Sequence, residues 1–329
     1  MSIGYPSGAS ARDRFVLEHR RSRRKHDPWS YQGLIVEDER AASGAIARIA
    51  TVLLTGRECP WRCAMCDLWM YTTAEDTPPG AIPAQISAAR AALYNGGEKI
   101  TGIKLYNAGS FFDRRAVPEA DYPEIASALA GLSQVVVESH PALVEPGLDR
   151  LLDVLGPAPT LEVAMGLETA HPGALERLNK RITLHQFAEA ANVLHARGVP
   201  LRVFLLISPP FVAPHEQDTW LERSINAAFD CGASVIALVP TRSGNGTLDV
   251  LPSDVFVAPR LEDIERSLEI GLRSARDRGR VFVDLWDLDR FASCAGCLGK
   301  RSARLHDMNL RQQVLPVVEC RECCREPCR

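Results

Sequence analysis

The chain has 329 residues, 46% of them hydrophobic, and a formal net charge of −3. That content suffices for one sizeable core with a small appendage. It excludes the global basic field of a dedicated nucleic-acid binder, and no apolar run reaches the roughly 18 to 20 residues of a membrane span. The N-terminus MSIGYPSGASARDRF has no apolar signal-like stretch, and nine of the ten cysteines are clustered with metal-like spacing. A cytoplasmic, reducing setting without membrane association is therefore expected.

Residues 1–45 read as a polar, irregular extension. It contains the basic run His19-Arg20-Arg21-Ser22-Arg23-Arg24-Lys25-His26. This is either a solvated tail or a phosphate-binding arm, and Trp29 and Tyr31 could pack it on the body. Over residues 46–289 strand and helix signals alternate. Strands are expected at 49–55, 101–106, 134–138, 161–165, 201–207 and 234–239, with a further candidate at 281–285. Helices are expected at 85–94, 122–129, 146–155, 184–197, 216–231 and 261–278, with a long connection at 241–259 before the last. About six such units predict a parallel sheet in an α/β fold, a partial (β/α)6 barrel, with chemistry at the carboxyl ends of the strands. Residues 290–329 break the rhythm and form a Cys-rich extension.

Directly after the first strand comes Cys59-Pro60-Trp61-Arg62-Cys63-Ala64-Met65-Cys66. Three thiols this close suit a loop folded round one metal centre. Three thiolates on a four-iron cluster leave one iron without a protein ligand, open to a substrate or cosubstrate. A structural zinc site usually draws on paired knuckles, so the lone triplet argues against zinc. The CxxxCxxC spacing resembles that of the radical S-adenosylmethionine (SAM) enzymes. The resemblance implies a [4Fe-4S] cluster on Cys59, Cys63 and Cys66. It further implies SAM chelating the open iron, and one-electron cleavage of SAM to methionine and a 5′-deoxyadenosyl radical. It also implies an electron donor of flavodoxin or ferredoxin type. Met65 departs from the superfamily, where an aromatic usually precedes the third cysteine beside the adenine; Met is apolar and adaptable enough to replace it.

The strand ends carry the remaining candidates. Asn107-Ala108-Gly109-Ser110 follows the second strand. Small residues there let a ligand approach the backbone, and the position matches the superfamily's glycine-rich segment that meets the SAM amino group. Glu138 and His140 follow the third strand and Glu168 the fourth. The carboxylates can accept from a ribose hydroxyl or the SAM ammonium, or simply cap a helix. Glu138 and His140 are also the candidates for acid–base work, His140 being equally readable as a packed histidine. Lys180 and Arg181 could neutralise the SAM carboxylate or form a solvated pair. Ser208, in the Ser-Pro-Pro after the fifth strand, is a further cofactor-contact candidate.

The series KLYNAGSFFD, VVVESHP, GLETA with LNK, and FLLISPPFV resembles the family of the archaeosine-forming radical SAM enzyme and, more distantly, the Elongator catalytic subunit type. The likeness runs from about residue 15 to the C-terminal cysteines. It implies action on a lysine-bearing 7-deazaguanine in tRNA, releasing a formamidine-bearing base. Besides this tRNA reading, a small-molecule or free nucleobase substrate stays open. So does a non-catalytic metal-cluster protein, which would not cleave SAM when reduced. Oligomeric state is not legible.

In the extension, Cys294 and Cys297 form one CxxC turn and Cys320 and Cys323 another, with Cys324 and Cys328 within reach. Two such turns complete a tetrahedral set. Zinc is the expected metal, with a second iron–sulfur cluster as the alternative.

Overall fold

The computed structural model describes residues 4–107 and 109–323. Its centre is one sheet of eight strands in the order β1 to β8. Helix α1 (Ala9–His19) leads in, and β1 (Gly33–Arg40) pairs antiparallel with β2 (Ile46–Leu54). There follow α2 (Ala81–Asn95), β3 (Gly102–Asn107), α3 (Tyr122–Ala128), β4 (Gln134–Glu138) and α4 (Val144–Leu155). The chain continues through β5 (Thr160–Glu168), α5 (Pro172–Arg177), α6 (Leu184–Ala196), β6 (Leu201–Ile207), α7 (Gln217–Asp230) and β7 (Ala233–Pro240). It ends with α8 (Leu261–Ala275), β8 (Arg280–Val283) and α9 (Ala295–Arg311). Strands β2 to β8 are parallel throughout. This is the expected α/β partial barrel, and the Cys-rich extension brings four cysteines together.

Local sequence explains these elements. The β6 run LRVFLLI is almost wholly apolar because helices cover one face and barrel interior the other. Thr183 and Gln186 form a capping box that starts α6. Gly97, at φ 73°, turns the chain away after α2.

The N-terminal segment differs from the expected irregular extension. It supplies α1 and an edge strand, β1, whose acidic residues reach the barrel floor. Buried Arg202 donates to Glu39 at 2.6 Å and to Glu162 at 2.5 Å, while Lys104 lies 2.6 Å from Glu39. Burial works against the Glu39 charge, but Arg202 and Lys104 outweigh it and hold the carboxyl well below its usual range. Glu39, with Glu37 at its edge, thus belongs to a paired interior network, while Asp38 pairs with Arg48 at the surface.

The extension, for which only cysteine turns were read, also holds a long helix. Helix α9 seals the free edge of β8 with side chains. The Gln312 amide accepts from Val281 N–H and donates to Val281 C=O, both at 2.8 Å. Asn309 does the same for Val283, both at 2.9 Å. Among the described residues, no helix is long and apolar enough to cross a membrane.

Candidate active site

The cysteine loop leaves β2 and lies across the carboxyl ends of the strands. Three neighbours pin its backbone. Ala64 N–H donates to Leu178 C=O at 2.9 Å. Asn179 Nδ2 donates to Arg62 C=O and to Asp13, both at 2.8 Å. Asn245 Nδ2 donates to Ala64 C=O at 2.7 Å and Cys66 C=O at 3.3 Å. Glu58, next to Cys59, is held by Arg20 at 2.6 Å, Arg62 at 3.2 Å and Arg23. Cys63 is buried, and Cys59 and Cys66 are half-buried. Burial pushes the Cys63 thiol up to about 12 and raises Cys59 and Cys66, so a bound metal must displace these protons.

Trp61 is stacked on His140, with centroids 3.5 Å apart and rings 8° from parallel. His140 Nε2 donates to Lys180 C=O at 2.9 Å, and Nδ1 accepts from Ala142 N–H at 3.2 Å. Burial, helped by Lys180, lowers its pKa to about 3. Both ring nitrogens are occupied and the ring is neutral. Of the two readings of His140, these contacts favour the packed histidine, with its ring against the indole.

Glu168 and Lys180 form a buried ion pair. A β-bulge between Gly166 and Glu168, with Glu168 at φ 69°, turns the carboxylate inward. That backbone costs on the order of 1–3 kcal/mol in a non-glycine residue, and such strain clusters at functional sites. A Cβ on Gly166 would collide with both partners of the pair. Burial alone would lower the Lys180 pKa, but Glu168, Cys63 and Glu138 together raise it. Burial raises Glu138 to about 7; Lys180 pulls it down and Glu168 pushes it up.

Asn107 ends β3 with both amide atoms buried and without a hydrogen-bond partner among the described residues. Gly109 is required by packing: a Cβ there would sit 2.5 Å from Arg57 C=O. Ser110 Oγ shares a 2.8 Å hydrogen bond with Ser139 Oγ and accepts from His140 N–H at 3.1 Å. Ala108 lies outside the described residues.

Three candidates have other neighbours. Arg181 turns outward to Asp13 at 2.7 Å, so Lys180 alone enters the site. Ser208 lines a cavity of about 220 Å³ between segment 253–258 and the starts of α7 and α8. Met65 packs into an apolar cluster with Phe15, Phe211, Leu248 and Leu251 at the barrel mouth. The basic run is not free either, since Arg20 and Arg23 are bound to Glu58 and His26 Nε2 meets Met70 C=O at 2.8 Å.

Sequence reasoning missed Glu58, Trp61, Asn179 and Asn245. Asn245 had a signal: it stands between Gly244 and Gly246, both at positive φ, in a segment read only as a long connection.

The C-terminal cysteines do converge. Ligand atoms of Cys294, Cys297, Cys320 and Cys323 all lie within 4.8 Å of one another. Cys294 and Cys320 sulfurs are 3.9 Å apart, and those of Cys297 and Cys323 are 3.6 Å apart. Cys324 and Cys328 lie outside the described residues.

No known family model matches the chain. Archaeosine synthase subunit beta of Thermococcus kodakarensis is 29% identical over 164 residues, 47% of this chain and 48% of that protein. An uncharacterised protein of Methanocaldococcus jannaschii is 25% identical over 249 residues, 70% of this chain and 66% of its own length. The chain thus spans between about half and two thirds of these relatives. Among solved structures, N-terminally truncated Elp3 of Methanocaldococcus infernus superposes with a TM-score of 0.53 at 13% identity, covering 80% of this chain and 64% of that one. The chain resembles the radical SAM enzymes. Its fold is an α/β partial barrel like that of the Elp3 structure.

Proposed function

We propose that the protein is a radical SAM enzyme, with Cys59, Cys63 and Cys66 as the ligands of a [4Fe-4S] cluster. When bound, the cluster and SAM supply a one-electron cleavage that yields a hydrogen-abstracting 5′-deoxyadenosyl radical. The observation that carries this reading is the convergence, at one barrel mouth, of the three-cysteine loop and an amino-acid-shaped set of polar groups. The Asn107 amide is buried with its donor and acceptor unspent. The Glu168–Lys180 pair offers a carboxylate to an ammonium and an ammonium to a carboxylate. Gly166 and Gly109 keep side chains out of that space. Glu138, poised near neutrality, can donate to or accept from a hydroxyl or a base edge. His140 holds Trp61 as one wall.

For the substrate, the similarity to archaeosine synthase subunit beta supports a 7-deazaguanine-type base in tRNA, handled together with a further subunit. The three-part division is proposed as a barrel at 46–289, an N-terminal extension that lends it β1, and a metal-held extension from 290. Zinc is the proposed metal of the latter, since two CxxC turns meet around one point.

The test is anaerobic reconstitution followed by dithionite and SAM. Formation of 5′-deoxyadenosine, lost when Cys59, Cys63 and Cys66 are all changed to Ala, supports the reading. Its persistence in that variant overturns it.

A further inference from the structure

The proposed chemistry needs one electron from outside, so some surface near Cys59 must receive a donor. The segment carrying the basic run is laid directly along the cysteine loop. Arg20 and Arg23 grip Glu58, and His26 grips Met70. Arg20 also lies over Trp69, 4.7 Å from the ring centroid. These contacts consume the inner side of the run and turn the rest outward. Arg21 is 68% exposed and only loosely opposed by Asp249 at 3.6 Å. Arg24 and Lys25 are exposed and form no ion pair among the described residues. Tyr71 (47% exposed) lies beside His26 of the run, ring centroids 6.1 Å apart, and Leu68 (40%) and Trp29 (50%) are exposed in the flanking segments. Even with Asp27 and Asp249 nearby, the patch keeps a surplus of positive charge on a chain of net charge −3.

We propose that this patch is the docking face for an acidic one-electron carrier protein of flavodoxin type, a reading that rests on the proposed radical SAM function. Exposed apolar side chains next to a charged run suit a small, transient electron-transfer encounter. A local basic patch on an acidic chain steers an acidic partner to one place and repels it elsewhere. The same count disfavours RNA. Three outward cations release few counterions, whereas phosphate-tracking proteins make roughly 6 to 10 such contacts. In the docked complex the carrier's flavin hydroquinone would give up one electron and become the semiquinone, the acceptor being the cluster that Cys59, Cys63 and Cys66 would hold; no bond forms between the proteins.

The test is the triple variant Arg21→Glu, Arg24→Glu, Lys25→Glu in the full chain. Direct binding of a purified flavodoxin, read by flavin fluorescence anisotropy on protein without iron, should weaken about tenfold or more, and wild-type binding should fall with salt. With the cluster loaded, bleaching by reduced flavodoxin should slow by a similar factor, while bleaching and 5′-deoxyadenosine formation with dithionite stay at wild-type level. Unchanged flavodoxin binding in the variant overturns the docking face, whatever the cluster does. Unchanged flavodoxin binding together with lost binding of a tRNA transcript would assign the patch to RNA instead. Absence of SAM cleavage with dithionite in the wild type would overturn the radical SAM function, and the anisotropy result would still decide the docking face.

Discussion

The imidazole of His140 lies flat on the indole of Trp61, and its two nitrogens are tied to Lys180 and Ala142. A residue from the end of β4 thereby sets the attitude of a residue inside the cysteine loop. His140→Ala removes the stack and leaves Lys180 C=O without its donor. An aromatic pair contributes about 0.5–1.5 kcal/mol beyond burial, so the melting temperature should fall by a few degrees. Trp61 should become more exposed, seen as a red shift in fluorescence. His140→Phe should restore the stack but not the hydrogen bonds. If the histidine were a proton donor, Phe would not recover SAM cleavage, whereas the positioning role requires partial recovery.

Glu138 gives a pH signature. Its folded pKa is raised by burial from an ordinary 4.5 to about 7. Between those values the folded state binds the proton that the unfolded state has released. The favourable contribution is therefore complete below pH 4.5 and lost as pH rises through about 7. Glu138→Gln, which cannot ionise, should be more stable than the wild type at pH 8, by on the order of 1–3 kcal/mol, with little difference at pH 4.5. Chemical denaturation at the two pH values checks this.

Gly166→Ala should empty the site without touching the cysteines. The new Cβ would drive Glu168 from Lys180. Breaking a buried pair costs roughly 3–5 kcal/mol when one charge is left alone, although here displacement toward the open mouth softens the loss. Iron content after reconstitution should stay normal while SAM affinity, measured by equilibrium dialysis, drops. Unchanged affinity would return the pair to a purely structural role.

The four-cysteine cluster should bind metal independently of the barrel mouth. Metal analysis of the Cys59, Cys63 and Cys66 triple-Ala protein should find one zinc per chain and no iron. Iron with sulfide would instead mark a second cluster. Removing the metal with a strong chelator should release the start of α9 and lower the melting temperature, because metal-binding free energy here is folding free energy.

The β4 and β6 signals were legible to the residue, because both strands are apolar runs bounded by turn residues. Strand β1 was not. Its Glu37 and Glu39 look solvent-seeking in sequence and find Lys104 and Arg202 only after folding. Helix α9 hid for a similar reason: Arg301 and Arg304 face Glu265 of α8, and Asn309 faces a strand edge. Within the site, residue types at strand ends pointed to Glu138 and Glu168, but spacing could not separate inward Lys180 from outward Arg181. That choice is made by Asp13, far away in the chain.

The amides of Asn309 and Gln312 occupy the donors and acceptors that a ninth strand would use. They let the sheet terminate. A parallel sheet with its last strand uncovered is a template on which another chain can grow. Asn309→Ala with Gln312→Ala should therefore cost more in monodispersity than in activity. The double variant is expected to enter concentration-dependent assemblies in analytical ultracentrifugation while freshly diluted protein still binds SAM. The helix that the four cysteines anchor would then be what keeps one barrel from extending into the next.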